Sequence, residues 1–149
     1  MALTATSMIH SGSGLARADQ AAPNLIRVEV LGLHSNDGNV DCALFGSPSG
    51  FPDDSSQANS TQIVKIENAQ AECSFSGIAP GDYAVSVFHD ENANGKLDRN
   101  FVGIPKEGVG ASNGATGHFG PPKFEDARFS YPGGLKTLTI HIQYLLAPL

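Results

Sequence analysis

The side chains with the most chemical promise fall in one run, His89-Asp-Glu-Asn-Ala-Asn-Gly-Lys-Leu-Asp98. Asp90, Asn92, Asn94, Gly95 and Asp98 stand in the order D-x-N-x-N-G-x-x-D, which is the first part of a calcium loop of the EF-hand type. Oxygen-bearing side chains on alternate residues turn inward around one hard cation, and the glycine permits the sharp turn between them. In that arrangement Asp90, Asn92 and Asn94 supply side-chain oxygens. Lys96 supplies its backbone carbonyl, and Asp98 binds directly or through water. The twelfth position, a bidentate Glu in an EF-hand, is Phe101 here. The shell is therefore short of two oxygens and needs a carboxylate from elsewhere, for which Glu107, Glu125 and Asp126 are the candidates. So little ligand charge implies weak Ca²⁺ affinity, about 10⁻⁴ to 10⁻³ M. The competing reading is a tight turn without a metal, because Asn and Gly tolerate positive φ.

A second constellation is His89, His118, Glu125 and Asp126, with Glu107 nearby in sequence. Brought together, these would make the site of a metal-dependent hydrolase. Two observations weigh against it. His89 and Asp90 are neighbours at a strand end and should face opposite sides, and the histidines do not fall in a compact ligand motif such as H-E-x-x-H. The plainer reading makes His89 a structural residue that hydrogen-bonds the long loop. No G-x-S-x-G occurs, and Ser112 reads as part of a flexible turn. Phe119 and Phe124 flank a Pro-Pro pair and suggest either a platform for sugar or peptide or a satellite cluster tucked under the loop. The chain has no Trp, the commonest stacking platform for sugars.

These residues need a scaffold, and the pattern around them is one of strands. In Asn24–Gly32, Ile26, Val28 and Val30 share a face; in Val40–Phe45, Val40, Cys42 and Leu44 do. Asn36-Asp-Gly-Asn39 reads as the hairpin turn between them. Further strands are expected at 62–66, 69–75, 83–89, 125–131 and 135–145. The region 89–124 between the fifth and sixth carries no strand pattern and is expected as one long, functional loop insertion. Seven short strands with no helical stripe predict an all-β, seven-stranded Greek-key β-sandwich. Seventeen Gly and nine Pro in 149 residues, with charged residues at only 16%, fit a turn-rich single domain over 23–149. The net charge of −6 and the scattered nine Lys and Arg exclude nucleic-acid binding by phosphate neutralisation. No apolar run is long enough for a transmembrane helix. Residues 1–22, with Ala16-Arg17-Ala18, read as a leader, either a signal-peptide remnant or a disordered segment. Cys42 and Cys73 lie in different strands and are either a disulfide or two small buried residues.

Two patterns carry a resemblance. Gly77-Ile-Ala-Pro-Gly-Asp-Tyr83 resembles the corner that leads into a strand in transthyretin-like and carboxypeptidase-regulatory-like sandwiches. The run from Tyr83 to Phe129, with HDENANGKLD, GIPKEG and FGPPKFEDA, resembles the signature of a bacterial exported family, domain of unknown function 2141. That resemblance implies a small secreted or periplasmic β-sandwich and brings no established activity, cofactor or binding residue with it. Residues and resemblance together predict a non-enzymatic module with a binding or structural role in the cell envelope. Its partner is unidentified, and its long loop is ordered by Ca²⁺. The hydrolase and the sugar- or peptide-binding module are the alternatives.

Overall fold

The computed structural model of the protein describes residues 23–117 and 120–146. The expected leader, His118 and Phe119 lie outside the described residues. The first strand, β1, is Leu25–Leu31, and β2 is Asn39–Phe45. They are followed by β3 at Ser60–Lys65, β4 at Ala71–Ser76 and β5 at Gly81–Asp90. Then come β6 at Val109–Ala111, a one-turn helix α1 at Phe124–Ala127, β7 at Phe129–Tyr131 and β8 at Leu135–His141.

The expected all-β sandwich is present, with its strand count corrected from seven to eight among the described residues. The additional strand, β6, lies inside the long insertion. Its sequence, Val-Gly-Ala, is too short and too glycine-rich to show a period. The expected strand over 125–131 is half helix: α1 takes Phe124–Ala127, and only Phe129–Tyr131 is extended.

One sheet has the order β4-β1-β8, with β1 antiparallel to β4 and parallel to β8. The other has the order β3-β2-β5-β6, with β7 also paired to β5. Ile26, Val28 and Val30 are fully buried, as their alternation requires. They meet Val40, Leu44, Val85 and Phe75 in the core between the sheets. Cys42 on β2 and Cys73 on β4 form a disulfide that ties one sheet to the other. Closing a loop of 31 residues in this way contributes about 3 to 4 kcal/mol. Tyr83, the third residue of β5, donates its hydroxyl proton to the Ala79 carbonyl at 2.7 Å, a tyrosine corner that fixes the entry into the strand.

The far edge of β5 is shared. β7 pairs with Gly81–Tyr83 and β6 with Ser86–Phe88. Between them the buried Val85 N–H lacks a ladder partner, and the Ser112 hydroxyl accepts it at 2.9 Å. Ser112 also donates to the Ala127 carbonyl at 2.6 Å. This serine is a buried structural joint, not part of a flexible turn. Phe124, Ala127 and Ala111 pack with Phe45 and Ala84 on the outer face of the sheet, with Phe51 of the β2–β3 loop against them. Phe124 is therefore a cluster residue and not an exposed platform.

Candidate functional site

Strand β5 runs through His89 to Asp90, so alternation places their side chains on opposite faces. Opposite β5 in β2, Val40 pairs with His89 and Asn39 with Asp90. His89 therefore shares the core face with Val85 and Val87. Asp90 shares the outer face with Asp41, which sits across from Phe88. On the other side of β5, Ser86 pairs with Ala111 and Phe88 with Val109, and the His89 N–H reaches the Gly108 carbonyl at 2.8 Å. The same register continued brings Glu107 opposite Asp90. Two carboxylates distant in sequence thus meet by strand pairing.

On the outer face the loop folds over Asp90, which is 2% exposed. Its Oδ2 accepts from the Gly95 N–H at 2.7 Å and its Oδ1 from the Asn94 N–H at 3.2 Å. Gly95 has φ +76, so the expected glycine turn is present. Asn92 and Asn94 each accept from the backbone N–H two residues on, at 3.3 and 2.9 Å, as Asx turns do. Their amide nitrogens donate to Asp98, at 2.7 Å from Asn92 and 3.0 Å from Asn94. Those two donors hold the Asp98 carboxyl below its usual range.

Glu107 is 4% exposed and clasps both ends of the loop. Its Oε2 accepts from the Glu91 N–H at 2.6 Å and its Oε1 from the Asp98 N–H at 3.0 Å. Burial pushes its carboxyl up; the two backbone donors oppose that shift, and the Asp98 and Asp90 charges add to it. Asp41 is pushed up to about 6, first by burial and then by Asp90 and Glu107. Its Oδ1 is buried and has no hydrogen-bond partner. Among the described residues, no Lys, Arg or His pairs with Asp41, Asp90 or Glu107. An open cleft of about 510 Å³ beside them is lined by Glu91, Asn92, Asp98, Arg99, Lys106 and Glu107.

The structure thus brings Asp90, Asn92, Asn94, Lys96, Asp98 and Glu107 together around one loop. Glu125 and Asp126 are not in that group. They are exposed on α1, where Glu125 pairs with Arg128 at 3.2 Å. Phe124 anchors that helix against Ala84, and Ala84 to Asp90 spans about 20 Å of strand. The same separation keeps Glu125 and Asp126 from His89, so those three residues do not assemble a hydrolase centre. Phe101 is 99% exposed at the tip of the following turn and occupies no ligand position.

Sequence reasoning missed Asp41, Glu91, His34 and Tyr144. Asp41 had a readable signal, a charge in mid-strand flanked by inward-facing Val40 and Cys42. On the core side His89 is fully buried and both ring nitrogens are engaged. Nε2–H donates to the Asp37 carbonyl at 2.7 Å, and the Tyr144 hydroxyl donates to Nδ1 at 2.8 Å. The His34 ring stacks on Tyr144, centroids 3.9 Å apart, and its Nε2 contacts Glu91 Oε1. Gly38, in the turn carrying Asp37, has φ +68, and a Cβ there would fall 1.9 Å from the Asp90 carbonyl oxygen. Only glycine permits that approach.

Fold and loop define a two-sheet β-sandwich whose long insertion is clasped at its base by buried carboxylates. Residues 28–139 match the family described as uncharacterized protein conserved in bacteria (DUF2141), and the chain belongs to that family. No curated protein and no solved structure matches the chain.

Proposed function

We propose that this protein is an exported, non-enzymatic module of the bacterial cell envelope whose long loop is ordered by Ca²⁺. Asp90, Asn92, Asn94, Asp98, the Lys96 carbonyl and Glu107 supply the oxygens, and Asp41 adds negative charge behind them. The observation that carries this reading is the gathering of Asp41, Asp90 and Glu107 without a cationic side chain to balance them. A bound cation would relieve the burial and mutual repulsion that push the Asp41 and Glu107 carboxyls up. At neutral pH a divalent ion bound by hard oxygen ligands is the chemically matched partner. Export is supported by the Cys42–Cys73 disulfide, a bond that persists in oxidising compartments. Among the described residues no helix is long and apolar enough to cross a membrane.

A second reading is favoured by one observation: the amide nitrogens of Asn92 and Asn94, not their oxygens, face Asp98. That arrangement is a self-satisfied turn that needs no ion. Ca²⁺ entry requires both amides to rotate and present oxygen. Thermal melting of chelator-treated protein separates the two. At Ca²⁺ about ten times Kd, the bound state gains about 1.4 kcal/mol, or about 3 to 5 °C in Tm for a chain of this size. An unchanged Tm up to about 10 mM Ca²⁺, about ten times the Kd of the weakest extracellular sites, selects the ion-free turn.

A further inference from the structure

We propose a second metal site, on the core side of the same strand end, in which His34, His89 and Glu91 bind one Zn²⁺ ion. His34 Nε2, His89 Nδ1 and a Glu91 carboxylate oxygen all lie within 4.8 Å of one another. Two imidazole nitrogens and one carboxylate are a ligand set that suits zinc and not calcium. The residues come from two separate segments: His34 from the turn after β1, and His89 and Glu91, two residues apart, from the end of β5 and the first residue beyond it. Alternation puts His89 and Glu91 on one side of the strand end, and the fold brings His34 to them from 55 and 57 residues away in sequence.

The surroundings are those of a metal ligand. His89 donates its Nε2–H to the Asp37 carbonyl at 2.7 Å. That bond fixes the tautomer and leaves Nδ1 as an acceptor, which takes the Tyr144 hydroxyl at 2.8 Å and lies 3.6 Å from Glu91 Oε1. A backbone carbonyl on the other ring nitrogen is the usual outer support of a metal-bound histidine. The His34 ring is oriented by stacking on Tyr144, and its backbone N–H donates to the hydroxyl of that tyrosine at 3.1 Å. Glu91 is fixed at its backbone N–H by Glu107. His89 is closed off from solvent, while the His34 and Glu91 side chains are 51% and 32% exposed, so an ion has an entry path.

On metal binding the Tyr144 hydroxyl gives up its hydrogen bond to Nδ1 and turns to the carboxylate or to water. Three protein ligands leave one position for water, the coordination class of zinc sites with an exchangeable ligand. This inference goes beyond the calcium reading and shares no ligand with it.

The test uses the full chain without an affinity tag. Zn²⁺ is titrated against a chromophoric competitor at about 10 mM Ca²⁺ and again without Ca²⁺, so that failure of one site does not mask the other. Co²⁺ serves as the spectroscopic stand-in. The expected result is one equivalent of Zn²⁺, with the visible bands of four-coordinate Co²⁺. His34→Gln and Glu91→Gln, both partly exposed and compatible with folding, each weaken binding by about tenfold or more. His141→Gln, an exposed histidine on β8, changes nothing. Zinc affinity unchanged in His34→Gln, equal losses in His141→Gln, or a Co²⁺ spectrum like that of the hydrated ion would each overturn the proposal.

Discussion

His89 and Asp90 are adjacent residues, yet they belong to two different environments. On the His89 side every polar atom of the imidazole has a protein partner, and the ring is fully buried. On the Asp90 side carboxylates gather, two of them pushed up in pKa, and one Asp41 oxygen has no partner at all. The contrast follows from the pleat. A strand that ends at the sheet's rim sends one residue into the core and the next to the outer face. One strand end thereby presents nitrogen donors to one side and hard oxygens to the other. On the nitrogen side the imidazole's hydrogen bonds are completed within the protein, whereas on the oxygen side Asp41 and Glu107 are pushed up by burial and Asp41 keeps an oxygen without a partner.

The largest expected effect lies on the nitrogen side. His89→Ala leaves a cavity and strips the Asp37 carbonyl of its partner, for a loss of about 2 to 4 kcal/mol. The loss should be the same with and without Ca²⁺ in denaturant unfolding. A calcium-dependent loss would show that the two faces are not independent.

Glu107→Gln comes next. A neutral amide presents one acceptor oxygen where two backbone N–H groups now donate, and an unsatisfied N–H costs about 1 to 3 kcal/mol. Melting should show that loss together with disappearance of the Ca²⁺ shift.

Asp41→Asn has the opposite sign in chelator. The folded pKa is about 6 against the ordinary 3.8 of an aspartate, so between those pH values the folded state holds the extra proton. Stability then falls as pH rises from about 4 to about 6 and is level above that. Removing the charge should stabilise chelated protein at neutral pH by about 1 kcal/mol, after discounting for solvent screening of a partly exposed group. It should also flatten the slope between pH 4 and 6 and reduce the Ca²⁺ shift. The Asp98 carboxyl, held low, contributes only below this window. Equal slopes in wild type and variant would remove Asp41 from the charged group.

The smallest effect is expected at Phe101→Glu. The change restores the carboxylate of an EF-hand's twelfth position, yet the side chain stands in solvent away from the loop. Ca²⁺ affinity by calorimetry should be unchanged. Tighter binding would mean that the tip folds back and that Glu107 does not complete the shell.

Much of the sandwich was legible because burial and strand period coincide. Ile26, Val28 and Val30 needed only their alternation, and the opposite facing of His89 and Asp90 followed from the same rule. The calcium-type turn was legible as local chemistry, since Asp90 and Gly95 interact within a few residues. What was hidden depends on pairing between distant segments. Glu107 could be named only as one of three candidates, because its place opposite Asp90 is set by β6, a strand too short to show a pattern. Glu125 and Asp126 are as close to the insertion in sequence but are carried to the far end of β5 by Phe124, whose burial among Phe45 and Ala84 has no local signature. His34 and Tyr144 follow β1 and β8, which lie side by side in a parallel pair that sequence spacing does not disclose.

The most direct test of the cation reading is Ca²⁺ calorimetry on chelator-treated protein, with Asp90→Asn as the matched control. The expected result is a single site with Kd of about 10⁻⁴ to 10⁻³ M in the wild type and none in the variant. Absence of binding heat in the wild type, or equal binding in Asp90→Asn, would contradict the assignment of the outer face as a calcium site.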